Sequence, residues 1–251
     1  MTAPPVQSAD APAPPDASAQ LLICRLDRLP AIERYRAYVS DDEHDRIDRL
    51  RGHDARARAV AGRALLRLEL GRRLNCPPRA VRLRFGPAGK PELAGEQSWH
   101  FNLAHSSDRV VLALGSRAPV GVDVEATDAR RPIDRLAQHY FSADEWDELA
   151  RLSPQHRRYY FFQRWTVTEA VAKALGCGLW QVLSNMRLRG LGSADPQLVL
   201  DPALAPRGAL SWWHFDLDAD YQIALAELSA CDEAPTPFDT VPGEQCHPWA
   251  L

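Results

Sequence analysis

Gly121-Val122-Asp123-Val124-Glu125 is a strict alternation in which two acids are separated by one valine. On a strand, side chains at i and i+2 share a face, so Asp123 and Glu125 project together. The stretch also stands where the order of elements restarts. Before it, residues 21–26 read as a short strand and 31–51 as helical, broken at an N-cap signal, Ser40-Asp41-Asp42-Glu43. A long amphipathic helix spans about 54–74, with Ala57, Ala61, Ala64, Leu65 and Leu68 at helical spacing. Strand-like segments follow at 80–85, 99–103 and 109–115, with the stretch itself reading as a strand at 120–125, all divided by Gly, Pro and Ser. After it come helices at 132–139, 143–152 and about 154–175, then strands near 185–189, 197–200, 209–216 and 221–228. Helices then strands thus occur twice, each time in about 100 residues centred on one long helix. That order predicts a duplicated α+β architecture and argues against an alternating βαβ sheet, although no residue-level repeat is evident.

The 251 residues are 45% hydrophobic and 25% charged, ordinary globular values that exclude a collagen-like, coiled-coil or wholly disordered chain. The longest apolar runs, such as 110–114, are far short of the roughly 20 residues that cross a bilayer, so no membrane span is expected. Five cysteines, Cys24, Cys76, Cys177, Cys231 and Cys246, are widely spaced with no Cys-x-x-Cys pair. Neither a disulfide framework nor a cysteine zinc site is expected. The first residues lack a basic and apolar leader, and a reduced cytoplasmic protein is the expectation. Residues 1–20 are rich in Ala and Pro and read as a disordered tail; 231–251, acidic and Pro-containing, read as a second tail. The folded body is expected as two halves, 21–119 and 120–230.

The formal net charge of −3 conceals an asymmetry. Between His44 and Arg84 there are 12 Arg against four acids, whereas Gly208 to Leu251 holds eight acids and no Lys or Arg. A basic stretch of this kind attracts phosphate groups or an acidic partner. An arginine-written solvated helix face is the plainer reading of most of these side chains. Nucleic-acid binding is a rival, but interleaved aromatics, a zinc module and an RNP-like pattern are missing. Of the 30 basic residues only two are lysines, Lys90 and Lys173.

Three segments carry chemistry. Asp123 and Glu125 repel each other unless a cation or proton lies between them, and hard oxygen ligands without His or Cys favour magnesium. An Asp-x-Glu alone is common, and a solvated strand end is the plain alternative. In Arg164-Trp165-Thr166-Val167-Thr168-Glu169-Ala170-Val171-Ala172-Lys173, Glu169 and Lys173 lie at i and i+4 on one helix face. A surface pair there contributes only about 0.3–0.5 kcal/mol, yet this one lies among apolar neighbours, where a carboxylate and an ammonium become available to ligate or transfer protons. The third segment is the turn Gly86-Pro87-Ala88-Gly89-Lys90-Pro91, followed by Phe101-Asn102-Leu103-Ala104-His105-Ser106. Alone, the loop is no Walker sequence and His105 reads as a strand-end histidine.

In order and spacing, Gly89-Lys90-Pro91, Asn102 to Ser106, Gly121 to Glu125, and Trp165-Thr166-x-x-Glu169-Ala170-x-x-Lys173 together resemble the 4′-phosphopantetheinyl transferase superfamily, in its longer, surfactin-synthetase-activating type. The resemblance covers about 21–229. It implies two similar α+β halves with the active site in the cleft between them. It implies transfer of the phosphopantetheine arm of coenzyme A to a serine of an acyl or peptidyl carrier protein, an acidic helical partner, with release of adenosine 3′,5′-bisphosphate. By the family pattern Asp123, Glu125 and Glu169 match magnesium-binding acids. Glu169, or a water it holds, matches the base, and Lys173 contacts or protonates the leaving phosphate. Lys90 and His105 match cofactor-phosphate contacts, and Arg58, with Arg46, matches the 3′-phosphate region. A monomer with pseudo-twofold symmetry is implied, with neither nucleic acid nor membrane as partner.

Two departures stand out. The family often has Lys immediately before the helix glutamate, where this chain has Thr168, which removes a cation expected near the pyrophosphate. Near Glu43 and His44 the family often places another base, which shifts 3′-phosphate binding onto Arg46 and Arg58. A magnesium phosphodiesterase or pyrophosphatase acting on coenzyme A-like diphosphates would use the same acids with water as nucleophile. The carrier's pathway, whether siderophore, polyketide, peptide or fatty acid, is not written in the residues.

Overall fold

A computed structural model describes residues 19–86, 90–95, 99–116, 118–128, 130–190, 196–206 and 208–229. The sequence-predicted tails lie outside these residues, except that Ala19 and Gln20 are strand rather than tail. The described residues form two compact units, 19–116 and 118–229, so Ala118 and Pro119 belong to the second unit rather than the first.

In the first unit, β1 (Ala19–Arg25), β4 (His100–Ser106) and β5 (Arg109–Gly115) form an antiparallel sheet in the order β1-β5-β4. The helix α2 (His53–Arg73) packs on it. Its Ala61, Leu65, Leu66 and Leu70 meet Leu22, Cys24, Phe101, Val110, Leu112 and Leu114 in one core. The neighbouring stripe, Val60 and Ala64, packs on Tyr35, Val39 and Ile47. Covered on two sides, α2 is buried over much of its length, broader burial than a one-faced helix requires. Residues Ile32–Tyr38 are 3₁₀, not α. The N-cap signal at Ser40 opens α1 (Asp41–Asp48), where the Glu43 carboxylate accepts from the Ser40 N–H and hydroxyl at 3.3 and 3.1 Å. A hairpin, β2 (Leu83–Phe85) with β3 (Pro91–Leu93), completes the unit; β3 falls at the end of a segment read from sequence as a turn.

In the second unit, β6 (Val120–Ala126), β9 (Ala209–Leu217) and β10 (Tyr221–Ser229) pair antiparallel in the order β6-β10-β9. In both units the first strand pairs with the last, and the last with the one before it. The duplication expected from element order is therefore present in topology. Short helices α3 (Ile133–Tyr140) and α4 (Ala143–Ala150) lead to α5 (Pro154–Leu175). This helix starts at Ser153, whose hydroxyl accepts from His156 N–H, with Pro154 in the first turn, and ends at Gly176 with φ of 68°. Its first half is aromatic: Phe161 and Phe162 pack with Ile133, Ala137 and Leu149. Its second half is small: Ala170, Ala172 and Ala174, with Val167 and Val171, pack on Ala224 and Ala226 of β10. A further helix, α6 (Leu179–Asn185), not expected from sequence, precedes the hairpin β7 (Met186–Arg189) with β8 (Gln197–Leu200). Among the described residues no helix is long and apolar enough to cross a membrane, and Cys24, Cys76 and Cys177 are free thiols.

Candidate active site

The acids cluster because β6 lies tightly on α5. A Cβ added to Gly121 would come within 2.1 Å of the Ala170 carbonyl oxygen and 2.4 Å of the Ala174 nitrogen. Position 121 thus carries no side chain because helix backbone occupies the space. Alternation then directs Asp123 and Glu125 to the same α5-facing side. On α5, the i, i+4, i+8 series Trp165, Glu169 and Lys173 forms a single stripe.

Lys173 Nζ donates to Asp123 Oδ1 at 2.7 Å and to the Val122 carbonyl at 3.2 Å, and stands 3.9 Å from Glu169 Oε2. Asp123 is buried, and its second oxygen, Oδ2, is buried without a hydrogen-bond partner. Burial pushes its carboxyl up to about 7; Lys173 opposes the rise, while Glu125 and Glu169 add to it. A buried carboxylate beside two others, with one oxygen unsatisfied, is stabilised by taking up a proton or by a nearby positive charge. Glu125 is engaged by Arg131 Nη1 at 2.8 Å. Among the described residues no three His, Cys, Asp or Glu side chains are gathered closely enough to enclose a metal. Lys173 and Arg131 pair with these acids. Asp123, Glu125, Glu169 and Lys173, predicted together, are therefore neighbours.

The other four predicted residues belong to the first unit, in two pairings. The Arg46 guanidinium stacks 4.2 Å from the Phe85 ring centroid, and Phe85 leads into the loop whose Gly86 N–H donates to the Lys90 carbonyl at 2.9 Å. Arg58 Nη1 donates to the Ser107 carbonyl at 3.2 Å, in the turn just after exposed His105 at the end of β4. Arg46 and Lys90 thus flank one loop, and Arg58 and His105 one strand end.

Sequence reasoning missed the interior charges that support these elements. Glu43 is buried in an ion pair with buried Arg67 at 2.6 Å, with Arg63 at 3.7 Å. Arg67 also donates to the carbonyls of Pro78 and Val81. The departure at Glu43 therefore serves the core of the first unit. The Thr168 departure is also an interior matter. Thr168 is fully buried; its hydroxyl donates to the Arg164 carbonyl at 2.7 Å and accepts from the Arg164 guanidinium. Buried Arg164 pairs with Glu145 at 2.9 Å, and Glu145 closes the N-terminal cap of α4 through the Ser142 N–H. Burial alone would raise the Glu145 carboxyl, but Arg164 and the N–H groups of Ser142 and Leu188 more than offset it and hold it below its ordinary range. One residue is about 100° of helix, so position 168 looks into the core while 169 looks along the acid stripe. No sequence signal marked Arg164, since an arginine in an amphipathic pattern reads as surface.

A model of the 4′-phosphopantetheinyl transferase superfamily matches residues 119–226, and one of the 4′-phosphopantetheinyl transferase N-terminal region matches 30–117. The 4′-phosphopantetheinyl transferase psf-1 of Bacillus pumilus is 32% identical over 195 residues, which are 77% of this chain and 81% of psf-1. The chain belongs to the 4′-phosphopantetheinyl transferase superfamily. Two further relatives are similar to this superfamily member. Sfp of Bacillus subtilis (strain 168) is 27% identical across 77% of this chain and 84% of Sfp. The slr0495 protein of Synechocystis sp. is 34% identical over 162 residues, 64% of this chain and 65% of that protein. The superfamily model begins one residue before β6 and spans both faces of the acid cluster, including every residue of the Trp165–Lys173 stripe.

Proposed function

We propose that the protein transfers the 4′-phosphopantetheine group of coenzyme A to a serine of an acyl or peptidyl carrier protein in the cytoplasm, as a magnesium-dependent monomer. The observation that carries the reading is Lys173 held 2.7 Å from buried Asp123 and 3.9 Å from Glu169, within this family's motifs. Asp123, Glu125 and Glu169 are the residues that would hold magnesium; the unsatisfied Oδ2 of Asp123 and the carboxylate oxygens of all three suit a hard cation. Bound there, magnesium would supply positive charge to the pyrophosphate oxygens.

The protein's own groups do the rest. Glu169, directly or through a water, accepts the proton of the serine hydroxyl as its oxygen bonds to the β-phosphorus. The bond from that phosphorus to the bridging oxygen breaks, and adenosine 3′,5′-bisphosphate leaves. The Lys173 ammonium lies beside the departing oxygen and neutralises or protonates it. Lys90 and His105 bind the cofactor phosphates, and Arg58 and Arg46 the 3′-phosphate. The basic stretch 44–84 suits an acidic carrier.

Mass spectrometry of an apo carrier protein incubated with this protein, coenzyme A and magnesium tests the reading. The carrier gains one phosphopantetheine unit, and the gain disappears with EDTA or with Asp123→Ala or Glu169→Ala. Full transfer by either variant would sink the metal assignment. Release of free phosphopantetheine with no gain on the carrier would make the protein a hydrolase.

A further inference from the structure

The loop after β6 directs a second cation at the same acids. Arg131 Nη1 lies 2.8 Å from Glu125 Oε1, and its guanidinium stands 5.4 Å from the centroid of the buried Phe162 ring. Its place is set from α5. Arg158 donates to the carbonyls of Asp128 and Arg131 at 2.5 and 3.4 Å, and the Arg131 N–H closes a turn onto the Asp128 carbonyl. Glu125 thus faces Arg131, while Asp123 and Glu169 face Lys173. In this arrangement the three acids do not surround a common point.

A guanidinium and a divalent cation on one carboxylate repel each other at short range, where a partly desolvated site screens poorly. The Arg131 side chain is 34% exposed, so it can turn to water without leaving a buried charge behind. We propose that Arg131 is a built-in competitor for the metal: its ion pair with Glu125 must give way for a divalent ion to draw Glu125 toward Asp123 and Glu169. The inference rests on the magnesium reading above and adds to it a protein cation that sets how much metal is needed. Arg131 acts through Glu125 and is not itself a catalytic residue.

The test is titration of the full chain, without coenzyme A, with Mn²⁺ as a visible stand-in for Mg²⁺, free Mn²⁺ being followed by electron paramagnetic resonance. Arg131→Gln binds Mn²⁺ about fivefold or more tightly than the wild type, since the competing charge is gone. Arg158→Gln, which loosens the loop but keeps the Arg131 charge, tightens binding by a smaller factor and serves if Arg131→Gln does not fold. Equal or weaker binding by the folded variants, with wild-type binding intact and transfer abolished by EDTA, overturns the competition alone; weaker binding would make Arg131 an orienting group for Glu125. No Mn²⁺ bound by the wild type, with transfer proceeding in EDTA, overturns the magnesium reading and the competition together.

Discussion

Gly121 of β6 and Ala170 of α5 meet so closely that a methyl group at 121 would lie 2.1 Å from the Ala170 carbonyl oxygen. The distance between the acids on the strand and the glutamate and lysine on the helix depends on this contact. The obstacle is helix backbone, which cannot rotate away as a side chain can. Gly121→Ala therefore forces β6 and α5 apart, costs about 3 kcal/mol of stability, and lowers transfer sharply. Chemical denaturation and transfer kinetics check both; an alanine variant of wild-type stability would contradict the contact.

Lys173 touches Asp123 Oδ1 and the Val122 carbonyl through a single nitrogen. A guanidinium is broader and planar and does not take up the same point contacts. Lys173→Arg is expected to lower kcat at least about 100-fold, as misplacement of about 1 Å does at a reacting centre. Arg130→Lys, at an exposed pair with Asp128, is expected to leave kcat within twofold. Comparable losses in the two variants would remove the special place given to the ammonium.

Asp123 carries a pH signature. Burial raises its carboxyl to about 7 in the folded protein, whereas an unfolded aspartate titrates near 4. Between these values the folded state binds the extra proton. The associated stabilisation is complete below about pH 4 and is lost as pH rises through about 7. The melting temperature of metal-free wild type, relative to Asp123→Asn, falls from pH 5.5 to 8.5. A difference that stays flat or grows means that Asp123 is ionised throughout.

Thr168→Lys would bring this chain nearer the usual family pattern and is nevertheless expected to damage it. The new ammonium would lie against the Arg164 guanidinium in a fully buried position. An uncompensated buried charge costs about 3–5 kcal/mol. Thr168→Val, which keeps shape and loses only the hydroxyl, is expected to cost about 1–3 kcal/mol. Denaturation midpoints rank the two.

If the basic stretch 44–84 attracts the carrier, KM for the carrier rises as salt passes the physiological range while KM for coenzyme A changes less. Initial rates at varied carrier concentration and ionic strength decide this. A salt-independent KM for the carrier removes the stretch from recognition.

Long periodic elements were legible in the residues, because apolar side chains rarely keep a period of 3.6 or 2.0 over many positions unless one face of a helix or strand is buried. Hence α2, α5, β5, β6 and the Ser40 cap lie where the pattern places them. Short elements were not. Over Ile32–Tyr38 the sequence pattern cannot separate a 3₁₀ from an α repeat. Pro91 made β3 look like turn, and Gly176 and Gly178 masked the start of α6. Glu43, Arg67, Glu145 and Arg164 read as surface charges, because nothing local marks a charge whose partner is 19 or 24 residues away.

By itself the sequence determined that Asp123 and Glu125 share one face of a strand, that Glu169 and Lys173 share one face of a helix, and that helices followed by strands occur twice. Each is a local property, set by the period of the backbone. Only the tertiary structure decided that the strand face meets the helix face, with Gly121 permitting the approach. It likewise decided that Lys173 reaches Asp123 more closely than its own helix neighbour Glu169, and that Arg131 rather than a second acid meets Glu125. Such distances come from the packing of surfaces far apart in the chain, and no local period encodes them.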